Sequence, residues 1–204
     1  MSEKSAKTDK AETVKESNKK SDVPTRLVWM DLEMTGLDPD RDVIIEMATI
    51  ITDANLVIIA EGPEIVIQRP AELFSTMDSW NREHHKKSGL WKRVVESTVS
   101  ERAAEEMTLN FIKEHVQAKD SPLCGNSIWQ DRRFIAKYLK DLDAYLHYRL
   151  IDVSTLKTLG KMWYPEAMAK INEKRSNHRA MDDIRESIEE LKRYRELLMK
   201  TPGE

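Results

Sequence analysis

The sequence predicts a single α/β domain built on a mixed sheet of about five strands that helices flank. Three apolar, β-branched runs follow one another in the first third of the chain, and short turn-forming segments separate them. Two shorter strand patterns then alternate with helical patterns. An antiparallel meander followed by βαβα units is typical of a mixed sheet covered by helices.

The meander is expected in the segment from Leu27 to Gln68. Its first strand runs from Leu27 to Glu33, and the second and third lie at 43–52 and 56–68. The connection Asp53-Ala54-Asn55 is short enough for a hairpin. The second and third strands are therefore expected to pair antiparallel, with the first strand beside them.

Helical periodicity begins beyond residue 70. Thr98 and Glu101 have the spacing of a capping box ahead of an amphipathic helix. The segment 164–177 contains Pro165 and has no clear apolar face, which predicts a loop. The remaining elements are two strands, at 122–124 and 148–153, and three helices, at 127–141, 154–163 and about 179–199.

Charge and composition limit the possible functions. Residues 1–23 are rich in Lys, Ser and acids and have almost no large apolar side chain, so a disordered leader is expected before one domain at 24–204. The 33 Lys and Arg against 36 Asp and Glu give a net charge of −3, which provides no global field to capture long duplex nucleic acid. A lone cysteine, Cys124, and the lack of a long apolar segment predict a cytoplasmic protein with no membrane partner.

Three acids attract attention because of where the predicted elements place them. Asp31 and Glu33 lie two residues apart at the end of the first strand, so they project from the same face of the sheet. Asp131 shares the buried stripe of its helix with Ile135 and Tyr138. A buried carboxylate needs either a cationic side chain or a metal ion, or a place at the helix start where the dipole stabilises it, and the pattern alone leaves these alternatives open.

The last helix adds a fourth acid. Asp183 lies at the margin of the apolar stripe, and His178 precedes it by five residues, so both reach one site only if His178 lies before the helix. Four carboxylates suit hard cations and would balance the charge of two Mg²⁺ or Mn²⁺ ions. An imidazole near its ordinary pKa can take a proton from water at neutral pH, which is the role expected of His178.

The set Asp31-x-Glu33, Asp131 and His178-x4-Asp183 resembles the DEDDh group of 3′→5′ exonucleases. Wider stretches are similar to the bacterial oligoribonuclease family from about Leu27 to Met199. They include Trp29-Met-Asp-Leu-Glu-Met-Thr-Gly-Leu-Asp-Pro, Cys124-Gly-Asn-Ser, Gln130-Asp-Arg-Arg-Phe, Asp152-Val-Ser-Thr-Leu-Lys and Asp182-Asp-Ile-Arg-Glu-Ser. This resemblance implies an RNase H-like fold, a homodimer, two Mg²⁺ or Mn²⁺ ions, and hydrolysis of short single-stranded RNA of two to five nucleotides, especially dinucleotides, to 5′-mononucleotides.

The same resemblance implies residues that contact the substrate. Leu37 and Trp80 would flank the bases with His85 nearby, and an aromatic platform tolerates every base. The family's 5′-phosphate contacts correspond to Ser127, Arg149 and Ser154, with Tyr148 and Arg149 reaching across from a second subunit. From the residues alone, these positions are equally compatible with ordinary packing, helix caps and a solvated arginine.

Two other functions use similar residues. A proofreading or tRNA-trimming exonuclease would have the same carboxylates but would act on longer strands, and the absent basic excess argues against it. An RNA-binding module without chemistry would usually have lost at least one of the five side chains, whereas all five are present. The sequence therefore favours an enzyme acting on short RNA.

Overall fold

A computed structural model describes residues 23–169, residue 171 and residues 179–199. Its sheet has the strand order β3-β2-β1-β5-β6, and a further strand, β4, also pairs with β2. The strands are β1 (Arg26–Met34), β2 (Ile44–Asp53), β3 (Ile58–Glu61), β4 (Ile65–Val66), β5 (Leu123–Gly125) and β6 (Leu150–Asp152). Strands β2, β3 and β4 are antiparallel to their neighbours, while β1, β5 and β6 are parallel. The predicted mixed sheet flanked by helices is confirmed.

The helices cover both faces of this sheet. They are α1 (Ser79–Lys87), α2 (Leu90–Glu96), α3 (Glu101–His115), α4 (Ile128–Tyr138), α5 (Lys140–Tyr145), α6 (Val153–Trp163), α7 (Pro165–Met168) and α8 (Ala180–Leu198), with a 3-10 helix at Ala71–Thr76. Within the described ranges, no helix combines the length and apolar character that crossing a membrane requires. Apart from Val23, the expected leader at 1–23 lies outside the described residues.

The segment predicted as the third strand forms two strands, β3 and β4, so the sheet has six strands and not five. The run 56–68 is interrupted at Gly62-Pro63, and Pro63 has no N–H to donate to a neighbouring strand. Both pieces, β3 and β4, pair antiparallel with β2. Between the two pieces, the Gly62 N–H donates to the Thr49 carbonyl of β2 at 2.8 Å, so this part of the segment also stays bound to β2.

The helix predicted at 127–141 is also two elements. Leu139 leaves the helical conformation, with φ −120° and ψ 68°, and α5 then restarts the chain in a new direction. The restart is stabilised by Glu105 on α3, whose Oε1 accepts the N–H groups of Asp141 at 2.7 Å and Leu142 at 3.1 Å. The α5 N-terminus is therefore capped by a carboxylate on another helix. The sequence around α5 gives no sign of this cap.

The prediction of a loop at 164–177 is wrong for residues 165–168, which are helical. Pro165 begins the short helix α7, because proline fits the first helical position, where no N–H is needed. Residue 170 and residues 172–177 of this segment lie outside the described residues.

The side chains of β1 alternate between two hydrophobic cores. Val28 and Met30 pack with α3, α4 and α5 on one face of the sheet. Leu27 and Trp29 pack with α6 and α8 on the other face, and the Trp29 Nε1–H donates to Thr52 Oγ1 at 3.0 Å. Because the side chains of a strand alternate with a period of two, the residues that continue the Trp29 series point toward α8.

Strand β5 leaves half of β1 without a parallel neighbour. The two strands pair only at Val28 and Trp29, and β5 ends at Gly125. A Cβ on Gly125 would lie 2.9 Å from the Met30 carbonyl oxygen, so this close approach requires glycine. Beyond Gly125, the edge of β1 is open to side chains from the loop after β5 and from α4.

The start of α3 differs from the predicted capping box. Ser100, not Thr98, is the cap, and its hydroxyl accepts the Ala103 N–H at 3.2 Å. Glu101 forms an ion pair with Arg69 at 2.5 Å. In a capping box the Glu101 carboxylate would accept a backbone N–H at the start of the helix, but here it binds Arg69.

We expect Ser100→Ala to lower the free energy of unfolding by about 1 kcal/mol, because the α3 N-terminus loses its side-chain acceptor. Thr98→Ala, two residues away and equally exposed, is the matched control and should leave stability unchanged. Urea unfolding of both variants measures the difference. Equal losses in the two variants would contradict the cap assignment.

Candidate active site

Three carboxylates meet where β1 ends and α8 begins. Asp31 and Glu33 continue the face of β1 that packs on α8, and Asp183 projects from the first turn of α8. Each of the three offers one oxygen atom, and these atoms all lie within 4.8 Å of one another. The strand alternation and the helix position expected from the sequence thus bring these acids into a single cluster.

The cluster concentrates negative charge in a partly buried place. Burial raises the pKa of Glu33 from 4.5 to about 8, and the charges of Glu46, Asp183 and Asp131 add to the rise. Acids held this close repel one another when they are ionised. A divalent cation among them would remove that cost, and carboxylate oxygens are the ligands that hard cations prefer. The donor set therefore fits a divalent metal ion.

Asp131 approaches this site along the edge of β1. It is 7% exposed, as its buried stripe predicted, and its Oδ1 accepts the Leu32 N–H at 2.9 Å. That N–H lies on the edge of β1 that β5 leaves open. Burial raises the pKa of Asp131 from 3.8 to about 7, although the hydrogen bond from Leu32 opposes the rise. Asp131 is outside the group of three, but it lies near enough for its charge to raise the pKa of Glu33.

Glu46 is a neighbour of the cluster that the sequence analysis missed. It lies directly opposite Glu33 in the register of β1 and β2 and is fully buried. Arg93 donates to its Oε1 at 2.6 Å and to Glu64 at 3.1 Å. Burial raises the pKa of Glu46, and the Arg93 charge opposes that rise. A single acid inside the apolar run 43–52 was the available signal.

The histidine expected to complete the site, His178, lies outside the described residues. The next residue, Arg179, lies directly before α8. The acid next to Asp183 has a different environment, because Asp182 pairs with Arg185 at 3.0 Å and its side chain is 39% exposed. Two adjacent acids on one helix are thus distinguished by the direction in which the helix points them.

The two residues expected to flank bases are both exposed. Leu37 is 67% exposed and Trp80 is 65% exposed, and the Trp80 ring stacks on His84 with 4.8 Å between ring centroids. The loop that carries Leu37 is fixed by Gln130, whose Nε2 donates to the Leu37 carbonyl at 2.5 Å. Both large apolar side chains are therefore available at the surface.

His85 is buried, unlike Leu37 and Trp80. It is 1% exposed, and its Nε2 lies 2.9 Å from the Met34 carbonyl at the end of β1. Burial lowers the pKa of the imidazole. Within this chain, His85 ties α1 to the end of the strand that carries Asp31 and Glu33.

The two serines expected at the 5′-phosphate lie together. The Oγ atoms of Ser127 and Ser154 are 3.2 Å apart. Asp152 fixes both of them, because its Oδ1 accepts the Ser127 N–H at 2.9 Å and the Ser154 N–H at 3.0 Å. Ser127 has a left-handed backbone, with φ 50°, at the entry to α4.

Tyr148 and Arg149 lie at the other end of β6 from these serines. Tyr148 is 74% exposed, its ring stacks on His147 at 4.4 Å, and the Arg149 guanidinium lies 5.5 Å from the Tyr148 ring centroid. They line a cleft of about 780 Å³ with Arg26 and Lys119, at the end of the sheet where β1 begins. Within one chain, the structure does not bring these two residues to the serine pair.

Known proteins have sequences similar to that of this chain. A family model described as Exonuclease (RNase_T) matches residues 28–191. Curated oligoribonucleases are similar over most of their length. The protein of Escherichia coli K12 is 56% identical over 174 residues (85% of this chain and 96% of that protein), and that of Pseudomonas aeruginosa PAO1 is 54% identical over 177 residues (87% and 98%). That of Hahella chejuensis is 55% identical over 170 residues (83% and 93%).

Solved structures of exonuclease I show a similar fold at low identity. One that addresses how processivity is achieved has a TM-score of 0.64 at 15% identity and covers 85% of this chain and 41% of its own. The enzyme of Methylocaldum szegediense has a TM-score of 0.58 at 19% identity and covers 86% and 41%. The chain thus spans about two fifths of these structures. At such identity the similarity concerns the fold alone, and it confirms the RNase H-like exonuclease fold.

Glu33→Gln should stabilise the protein without metal at alkaline pH. The native state holds the Glu33 proton up to about pH 8, whereas the unfolded chain releases it near 4.5. Between these values the native state binds more protons, so the free energy of unfolding falls as pH rises. Removing the carboxylate removes that fall. Urea unfolding in EDTA across this pH range measures it, with Glu72→Gln on the exposed 3-10 helix as the charge-matched control. A wild-type stability that rises with pH through this window would contradict the assignment.

Proposed function

This chain belongs to the exonuclease family and, within it, to the oligoribonucleases, and from that premise we propose how its residues hydrolyse short RNA. The chain is a 3′→5′ exoribonuclease that acts on short RNA. We propose dinucleotides as the preferred substrates and 5′-mononucleotides as the products. The observation that carries the mechanism is the cluster of Asp31, Glu33 and Asp183 at the end of β1.

The carboxylates are proposed to hold the divalent metal ions on which this family depends. Asp31, Glu33 and Asp183 would supply oxygens from the α8 side, and Asp131 would supply its charge from the α4 side. We propose two ions, either Mg²⁺ or Mn²⁺, because four carboxylates would balance their charge. Such ions, when bound, supply charge compensation at the scissile phosphate and lower the pKa of water.

His178 is proposed as the general base that takes a proton from the attacking water. It precedes Arg179 and the first turn of α8, the turn that carries Asp183. A residue placed before the helix can reach the same cleft as Asp183, which five helical steps would not allow. An imidazole with an ordinary pKa is mostly neutral at neutral pH and can therefore accept a proton from water.

Leu37 and Trp80 are proposed to bind the bases of the substrate. Their exposure supports this role, because an apolar and an aromatic surface that water covers can exchange that water for a base. Stacking does not depend on base identity, which suits an enzyme that degrades all short RNA. His85 is proposed to act from beneath, by fixing α1 against the end of β1.

The 5′-phosphate is proposed to bind at Ser127 and Ser154. The proximity of the two hydroxyls supports this role. Tyr148 and Arg149 lie at the far end of β6, so we propose that a second copy of the chain brings its Tyr148 and Arg149 to this phosphate in a homodimer. A terminal phosphate anchored at a fixed distance from the carboxylates would favour the shortest substrates.

Hydrolysis of two substrates tests this function against an exonuclease that prefers long strands. Purified protein with Mg²⁺ should degrade a 5′-labelled RNA dinucleotide much faster than a labelled RNA of about 20 nucleotides. The net charge of −3 gives the longer strand little additional attraction. A rate on the long strand equal to or above that on the dinucleotide would favour the proofreading or tRNA-trimming alternative.

Two adjacent acids provide a matched pair of variants. Asp183→Asn should abolish nearly all hydrolysis, because it removes a charge from the proposed metal site. Asp182→Asn, one residue away, should keep most activity, since Asp182 pairs with Arg185 at the surface. Dinucleotide hydrolysis measures both, with circular dichroism to confirm folding. The reverse ranking would place the site on the other side of α8.

His178→Ala should lower kcat by roughly 10²–10⁴-fold, the usual contribution of a general base, and leave substrate affinity almost unchanged. Single-turnover kinetics on a dinucleotide, together with binding of the substrate in Ca²⁺, separate the two quantities. A loss confined to affinity would exclude the role of general base.

A further inference from the structure

A buried acid on α8, Glu190, is the centre of a hydrogen-bond network outside the carboxylate cluster. Glu190 is 7% exposed, and it lies close to Lys157 of α6, with 3.3 Å between Nζ and Oε1. The Tyr194 hydroxyl donates to the same oxygen, and Asn126 Nδ2 donates to Oε2 at 3.0 Å. Donors of this kind offset the cost of burying a carboxylate.

These contacts fix the orientation of the Asn126 amide. A carboxylate only accepts hydrogen bonds, so the nitrogen of Asn126 must face Glu190. The same nitrogen donates to Ser187 Oγ at 2.8 Å, and the Ser187 hydroxyl donates in turn to the Asp183 carbonyl at 2.8 Å. The amide oxygen is left for Ser154, whose hydroxyl donates to it at 3.1 Å.

The orientation of Asn126 then determines the state of both serines. The Ser154 hydroxyl gives its only proton to Asn126, and its oxygen accepts the Ser127 N–H at 3.0 Å. The Ser127 hydroxyl is therefore the donor in the 3.2 Å contact between the serines, and it can turn to an arriving anion without breaking the contacts of Asn126.

The network joins three elements that the chain separates. Ser127 lies in the loop after β5, Ser154 lies on α6, and Asp183 lies on α8. Asn126 contacts the side chains of the last two elements directly and precedes Ser127 in the chain. Asn126 thus hydrogen-bonds both Ser154 of the serine pair and Ser187 and Glu190 of α8.

We propose that Asn126 is a positioning residue that fixes the serine pair relative to α8, and so sets the distance between a bound 5′-phosphate and the carboxylates. This inference rests on the proposed function, because it needs the serines to bind that phosphate. It predicts that Asn126 acts on substrates through their 5′-phosphate. A merely structural role would lower activity on all substrates alike.

The test compares Asn126→Ala with the wild type on one dinucleotide with and without a 5′-phosphate. The variant should raise KM for the phosphorylated substrate by roughly 3- to 10-fold, the effect of about one hydrogen bond, and leave KM for the other substrate nearly unchanged. Thr155→Ala, on the exposed side of α6 beside Ser154, is the matched control and should change neither value.

Ser187→Ala gives a second, smaller change that removes one of the two contacts between Asn126 and α8. The Asn126 amide keeps its bonds to Glu190 and Ser154, so this variant should raise KM for the phosphorylated substrate by about 2- to 5-fold and leave KM for the other substrate nearly unchanged. This variant provides the test if Asn126→Ala fails to fold, and an unchanged KM for the phosphorylated substrate would overturn the positioning role.

The outcomes separate this inference from the function on which it rests. If the wild type gains nothing from a 5′-phosphate, the assignment of the serines is wrong and the role of Asn126 is wrong with it. If the wild type gains from the phosphate and Asn126→Ala keeps the whole gain, or loses equally on both substrates, only the positioning role is overturned.

Discussion

The structure depends on the concentration of negative charge at the end of one buried strand. Asp31 and Glu33 leave the core on β1, and Asp183 on α8 meets them within 4.8 Å. Burial raises the pKa of Glu33 to about 8, and the charges of Glu46, Asp183 and Asp131 add to the rise. A bound cation would relieve the repulsion among these acids without protonating them, and acids with strongly raised pKa values are typical of functional sites.

The surrounding fold fixes this charge in place from both sides of the sheet. Asp131 reaches β1 because β5 is short enough to leave the Leu32 N–H open. Arg93 holds the Glu46 carboxylate, and His85 holds the end of β1 at Met34. Hydrogen bonds of Asn126 connect the serine pair to α8 in the same way. Rigid elements, rather than the loops alone, therefore determine where a short substrate would lie.

Local rules predicted the parts of the site that depend on one element. Strand alternation placed Asp31 and Glu33 on one face, and helical periodicity placed Asp131 on a buried stripe. The contacts of Glu46 and Asn126 were not predictable in this way, because strand register and packing between distant elements decide them. Asn126 and Glu190 are 64 positions apart in the chain. The break of the third strand was readable, since Gly62-Pro63 stands in the sequence.

The most direct test of the central claim is the thermal stability of the protein with and without divalent cations at about pH 8. Mg²⁺ or Mn²⁺ should raise the melting temperature well above its value in EDTA, because cations bind the native cluster and not the unfolded chain. Asp31→Asn should lose most of that increase. A melting temperature that does not respond to the cation, or that rises equally in the variant, would contradict the assignment of the metal site.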